Sequence, residues 1–104
     1  MQNNQNNKSD DVVEKLKIPP HSIEAEQSVI GSMLIEPDTW DKVAEIVIES
    51  DFYNRSHQTI YRSILKLLSQ NQPVDLITVS QILEQNDELD DAGGFAYLAE
   101  LAKN

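Results

Sequence analysis

The strongest constraint on what this chain can fold into is where its helices must stop. Apolar residues recur three and four positions apart in segments of ten to fifteen residues, and each segment is cut by Pro37, Pro73 or the pair Gly93-Gly94. Proline lacks the amide proton a helix needs, and a glycine pair weakens helical preference. The result should be several short amphipathic helices with no long one and no strand pattern beyond the short stretch Val74–Ile77. We therefore expect an all-α fold, a compact bundle of five or six short helices. Met1–Asn7 is rich in Gln and Asn, and Lys8–Lys17 is dominated by charge. Residues 1–17 thus read as a disordered N-terminal arm, followed by a helical domain over residues 18–104, and Pro19-Pro20 blocks any helix from running through the junction.

Within that domain the first helix is expected from about Ile23 to Leu34, capped by Ser22, with Glu24 and Glu26 at its positive end. Asp38 reads as the cap of a second helix that carries Trp40, Val43, Ala44, Ile46, Val47 and Ile48 on one face. The pair Phe52-Tyr53 then plugs the core. A third helix runs from about Ser56 to Ser69, with Ile60, Tyr61, Ile64, Leu65, Leu67 and Leu68 inward. Thr78-x-x-Gln81 reads as a capping box for the fourth, stapled by Ile77 and Ile82. The fifth follows Gly93-Gly94, with Phe95, Leu98, Ala99 and Ala102 on its inner side.

Eight basic against eighteen acidic residues give a net charge of −10. A surface that binds nucleic acid needs clustered cations to displace counterions, and this chain has no such surplus. There is no cysteine and no G-x-x-x-x-G-K-[ST] phosphate loop. Disulfides, thiolate metal sites and P-loop chemistry are therefore excluded, and neither a signal peptide nor an apolar run long enough for a membrane span is visible, so a soluble cytoplasmic protein is expected. His21 reads as a capping or solvent residue, and the Asp87–Asp91 acidic run as a solvated turn without the spacing of a calcium loop.

Two polar residues stand out against this background. Glu26 projects to the centre of the first helix's apolar arc, and His57 to the middle of the third helix's apolar face. A lone buried carboxylate would cost several kcal/mol. The two are therefore expected to meet as a structural polar pair that fixes the register of the two helices. Arg55, Arg62 and Lys66 fall within about 40° of one another on the third helix, a stripe that faces solvent, a neighbouring subunit or nucleic acid. Tyr97 lies at the border of the last helix's apolar face, where a tyrosine combines apolar area with a polar tip, as interface anchors do. No catalytic, cofactor or metal residues suggest themselves.

Four blocks, in order, carry a resemblance. Ile18-Pro-Pro-His-Ser-Ile-Glu-Ala-Glu-Gln-Ser-Val-Ile-Gly-Ser32, Asp51-Phe-Tyr53 with His57, Pro73-Val-Asp-Leu-Ile-Thr78, and Gly93-Gly-Phe-Ala-Tyr-Leu-Ala-Glu-Leu101 resemble the N-terminal domain of DnaB-type replicative helicases. The resemblance implies a non-catalytic part of a hexameric, ATP-dependent DNA helicase. Its N-terminal domains dimerise within the ring to form a collar, and the primase docks there through its C-terminal domain, with a helicase loader as a further partner. ATP and Mg²⁺ would belong to a motor domain that this chain lacks, and no cofactor is expected here. DNA binding is expected to be weak at most. The alternative is a small nucleic-acid-binding helical domain that uses the Arg55/Arg62/Lys66 stripe.

Overall fold

The computed structural model describes residues 22–103. The N-terminal arm, Pro19-Pro20 and His21 lie outside them. Five α-helices follow one another: α1 (Ile23–Ile35), α2 (Trp40–Ile46), α3 (Arg55–Ser69), α4 (Leu76–Gln85) and α5 (Gly94–Leu101), with single 3₁₀ turns at Pro37–Thr39 and Glu49–Asp51. No strand occurs among the described residues.

Each helix boundary has a local cause. Ser22 accepts the Ala25 N–H at 3.0 Å to open α1. Asn54 accepts the Ser56 N–H at 2.8 Å to open α3. The C-termini of α3 and α4 close alike. Asn71 (φ 56°) and Asp87 (φ 61°) take the left-handed conformation, and the next residues, Gln72 and Glu88, return their N–H groups to Leu67 and Leu83 at 2.9 and 2.8 Å. This double closure satisfies carbonyls that the helix end would otherwise strand.

α3 is the central element and packs on α1 and α4, while α5 lies against α1 and α4. Ile30, Val43, Ile60, Tyr61, Ile64, Val79, Leu83 and Leu98 are completely buried. α1 and α5 run side by side in the same direction, because Gln27 meets Tyr97 and Gly31 meets the last turn of α5. A Cβ on Gly31 would lie 2.6 Å from the Leu101 carbonyl oxygen, so glycine is what lets the two helices approach.

Four expectations are corrected. α2 is shorter than its apolar run, starts at Trp40 rather than Asp38, and is preceded by Thr39 without a side-chain cap. After Ile46 the backbone turns extended at Val47. The Val47 side chain enters the core, and its carbonyl accepts the buried Tyr61 hydroxyl at 2.6 Å. From there the period is two, not 3.6, which sends Ile48 outward at 61% exposure, and Ala44 and Trp40 are also on the outer side. Of the pair Phe52-Tyr53, only Phe52 enters the core, tilted against Tyr61 with centroids 4.9 Å apart. Tyr53 points away from the core and is 85% exposed.

α4 begins one turn earlier than its Thr78 suggested. Asp75 is the cap: its carboxylate accepts the Thr78 N–H at 2.8 Å, and the Thr78 hydroxyl accepts the Asp75 N–H at 2.9 Å. Thr78 is thus the returning partner of the box and not its cap. Val74 and Val79, the residues that flank such a box, are both buried, whereas Ile77 is exposed. The inner face of α5 is rotated relative to expectation: Leu98 and Leu101 enter the core, Ala99 is half-buried and Phe95 faces outward. The larger apolar surface of Leu101, seated beside Gly31, outweighs that of Ala99.

Candidate functional site: a buried polar chain that ends at Tyr97

Glu26 on α1 is completely buried, as is His57 on α3. The His57 Nδ1 lies 2.7 Å from the Glu26 Oε1. Glu26 also accepts two backbone amides from the turn before α3: the Tyr53 N–H at 2.6 Å on Oε2 and the Asn54 N–H at 3.2 Å on Oε1. The carboxylate therefore ties α1 to the entry of α3 through three N–H groups, which offset the cost of burying it. On the far side of the ring, Nε2 stands 2.6 Å from the Tyr97 hydroxyl. The two rings are within 9° of parallel. Gln27, next to Glu26 on α1, donates from Nε2 to the same hydroxyl at 3.1 Å.

The result is a continuous polar chain, Glu26–His57–Tyr97–Gln27, linking α1, α3 and α5 and running from the core to a half-buried phenol. Gly93 makes room for it. It adopts φ 105°, and a Cβ there would come within 2.7 Å of the Tyr97 ring. Gly93, the residue before α5, is thus a turn position shaped to the tyrosine. Of this set, sequence reasoning singled out Glu26, His57 and Tyr97. It missed Gln27, the amides of Tyr53 and Asn54, and the role of Gly93. Gln27 could have been found only from its place beside Glu26 at the edge of the apolar arc.

The cationic stripe on α3 is not a unit. The Arg62 guanidinium donates to Glu88 at 2.6 Å and to Glu49 at 2.8 Å. These bonds, the one to Glu88 first, raise its pKa further above its ordinary value. Arg62 thus bridges the 3₁₀ turn before α3 to the loop after α4. Arg55 and Lys66 are exposed at opposite ends of the helix. Among the described residues no group of three His, Asp or Glu side chains is placed to hold a metal ion, and no helix is long and apolar enough to cross a membrane.

The buried groups Glu26 and His57 are thus paired with each other and with backbone amides inside a small all-helical domain. Residues 18–104 match the DnaB-like helicase N-terminal domain family, and the chain belongs to it. It is 49% identical over 92 residues to the replicative DNA helicase DnaB of Buchnera aphidicola subsp. Acyrthosiphon pisum, a match covering 88% of this chain and 20% of that protein. It is 48% identical over 87 residues to the replicative DNA helicase DnaB of Pasteurella multocida, covering 84% of this chain and 19% of that protein. The chain therefore spans about a fifth of the length of these relatives. The crystal structure of the N-terminal domain of DnaB helicase from Mycobacterium tuberculosis superposes with a TM-score of 0.77 at 39% identity, covering 82% of this chain and 59% of that one.

Proposed function

We propose that this domain assembles and docks within a cytoplasmic replicative helicase: it pairs with copies of itself in the N-terminal collar of a hexameric ring and receives the C-terminal domain of the primase. A helicase loader is a further partner of the same kind. ATP hydrolysis, with its Mg²⁺, is assigned to the motor domain of the longer protein. The observation that carries the docking part is Tyr97, half-buried, with its hydroxyl held by His57 and Gln27 and the exposed Phe95 two residues away. An aromatic side chain already fixed in place loses little entropy when a partner covers it, which suits an interface anchor. Arg55 and Lys66, with Arg62 between them, are assigned to the acidic surface of a neighbouring subunit.

The test is sedimentation of the chain alone and with the cognate primase's C-terminal domain. Concentration-dependent self-association and a complex weakened by Tyr97→Ala support the reading. A chain that stays monomeric and ignores the primase domain refutes it. The rival use of the α3 stripe on single-stranded DNA is opposed by the net charge of −10 and by the two carboxylates already on Arg62. Tight binding of labelled single-stranded DNA with a steep salt dependence would restore it.

A further inference from the structure

Every proton in the polar chain has a direction. Glu26 accepts two backbone amides, so it is the acceptor in the site, and the His57 Nδ1 beside it must carry a hydrogen. A neutral ring protonated there leaves Nε2 as an acceptor. The Tyr97 hydroxyl, 2.6 Å away, supplies the donor. Gln27 then donates to the phenol oxygen from the other side. In this arrangement the Nδ1 hydrogen, the phenol hydrogen and one hydrogen of the Gln27 amide each have an acceptor. With a charged ring, Nε2–H and the Gln27 amide would both point at the phenol oxygen, and the phenol's own hydrogen would have no partner among the described residues.

We infer that Glu26 and His57 are positioning residues for Tyr97: they draw its hydroxyl hydrogen inward, so that the phenol meets a docking partner as a hydrogen-bond acceptor and selects a partner that brings an N–H donor. This rests on the docking role proposed for Tyr97. The surroundings favour a cationic donor, a Lys or Arg side chain. Glu24 lies one turn before Gln27 on α1 and Glu100 one turn after Tyr97 on α5, both exposed, in a chain of net charge −10.

The two ring nitrogens can be separated by substitution. Asparagine at 57 places an amide donor near the Nδ1 position and so keeps a partner for Glu26, but offers Tyr97 nothing. Glutamine reaches toward the Nε2 position and keeps an acceptor for Tyr97, but loses the Glu26 bond. The binding assay is titration with the cognate primase's C-terminal domain, with thermal midpoints recorded for each variant. Tyr97→Phe, which keeps the ring, is expected to weaken binding about tenfold, the loss of roughly one hydrogen bond. His57→Asn should match it, and His57→Gln should stay near wild type although both lose thermal stability.

Three results would overturn the inference while leaving the docking role intact. One is a Tyr97→Phe variant that binds like wild type while Tyr97→Ala does not. Another is affinity in the two His57 variants that simply follows their midpoints. The last is a ¹⁵N NMR spectrum in which the His57 Nε2 carries a hydrogen; the expected spectrum shows the hydrogen on Nδ1 and an acceptor at Nε2. A wild-type chain that does not bind the primase domain, or a Tyr97→Ala variant that binds unchanged, would remove the docking role itself and this inference with it. The Tyr97 variants and the ring spectrum decide the matter even if a His57 variant fails to fold.

Discussion

Replacing Glu26 by glutamine changes almost no volume and removes one acceptor. The carboxylate receives Tyr53 on one oxygen, and Asn54 and His57 on the other. The least damaging glutamine keeps its carbonyl toward Asn54 and His57 and turns its NH₂ toward the Tyr53 N–H, a donor facing a donor at a site with no solvent exposure. One charge-assisted hydrogen bond is lost and one buried amide is orphaned, at about 1.5–3 kcal/mol. Alanine orphans all three donors and should cost about 3–5 kcal/mol, as removal of one member of a buried pair does. Against a total of roughly 4–12 kcal/mol, from about 0.05–0.15 kcal/mol per residue, the alanine variant approaches the limit of folding. Urea unfolding followed by circular dichroism measures both. A glutamine variant within about 0.5 kcal/mol of wild type, the range of ordinary surface changes, would refute the reasoning.

Burial, and then the negative charge of Asp51, push the Tyr61 hydroxyl up to about 12 from its ordinary 10.0. The neutral phenol therefore favours the folded state. Its contribution is complete below pH 10 and is lost as pH rises through 12, a difference of as much as ~2.7 kcal/mol at 1.36 per unit. Alkaline denaturation of wild type compared with Tyr61→Phe reads it, since the phenylalanine protein lacks this loss. Gly31→Ala should give a net loss of about 1–2 kcal/mol in the same urea assay, because crowding against the Leu101 backbone outweighs the better helix propensity. Asp87→Gly should raise the thermal midpoint slightly, by the equivalent of about 0.5 kcal/mol, as the left-handed closure of α4 is relieved of a Cβ.

The elements that were legible in the sequence share a property: their pattern was local and unrivalled. Ser22 before a charged first turn, the apolar face of α3, and Glu26 and His57 misplaced among apolar neighbours all declared themselves within one helix. The errors arose where two local rules competed. Val47 and Ile48 fit a helical face as well as they fit an extended strand, and the tertiary bond from Tyr61 to the Val47 carbonyl decides for the strand. Asp75 and Thr78 can each begin a helix, and both sit in one box whose direction depends on Val74 being drawn into the core. Ala99 and Leu101 competed for the inner side of α5, and the close approach of the Leu101 backbone to Gly31, 70 positions earlier, settles the contest. The outer half of the site was hidden for a similar reason. Backbone amides at Tyr53 and Asn54 have no signature in a sequence, and Gln27 gains meaning only once α5 is in place.

The polar chain also has a consequence for the order of events in folding. Its side-chain links join residues 31, 40 and 70 positions apart. Contacts of such separation require large loops to close before they give anything back. The hairpin-like packing of α3 on α4 can form early from nearby residues, whereas the bond between Gln27 and Tyr97 waits for both ends of the domain. Interactions that form after the rate-limiting step leave folding speed almost untouched and act on the reverse rate. If the Tyr97 bonds form that late, losing them acts as the release of a latch: the folded domain is expected to open sooner and to refold as quickly as before, as the two arms of a chevron plot would show.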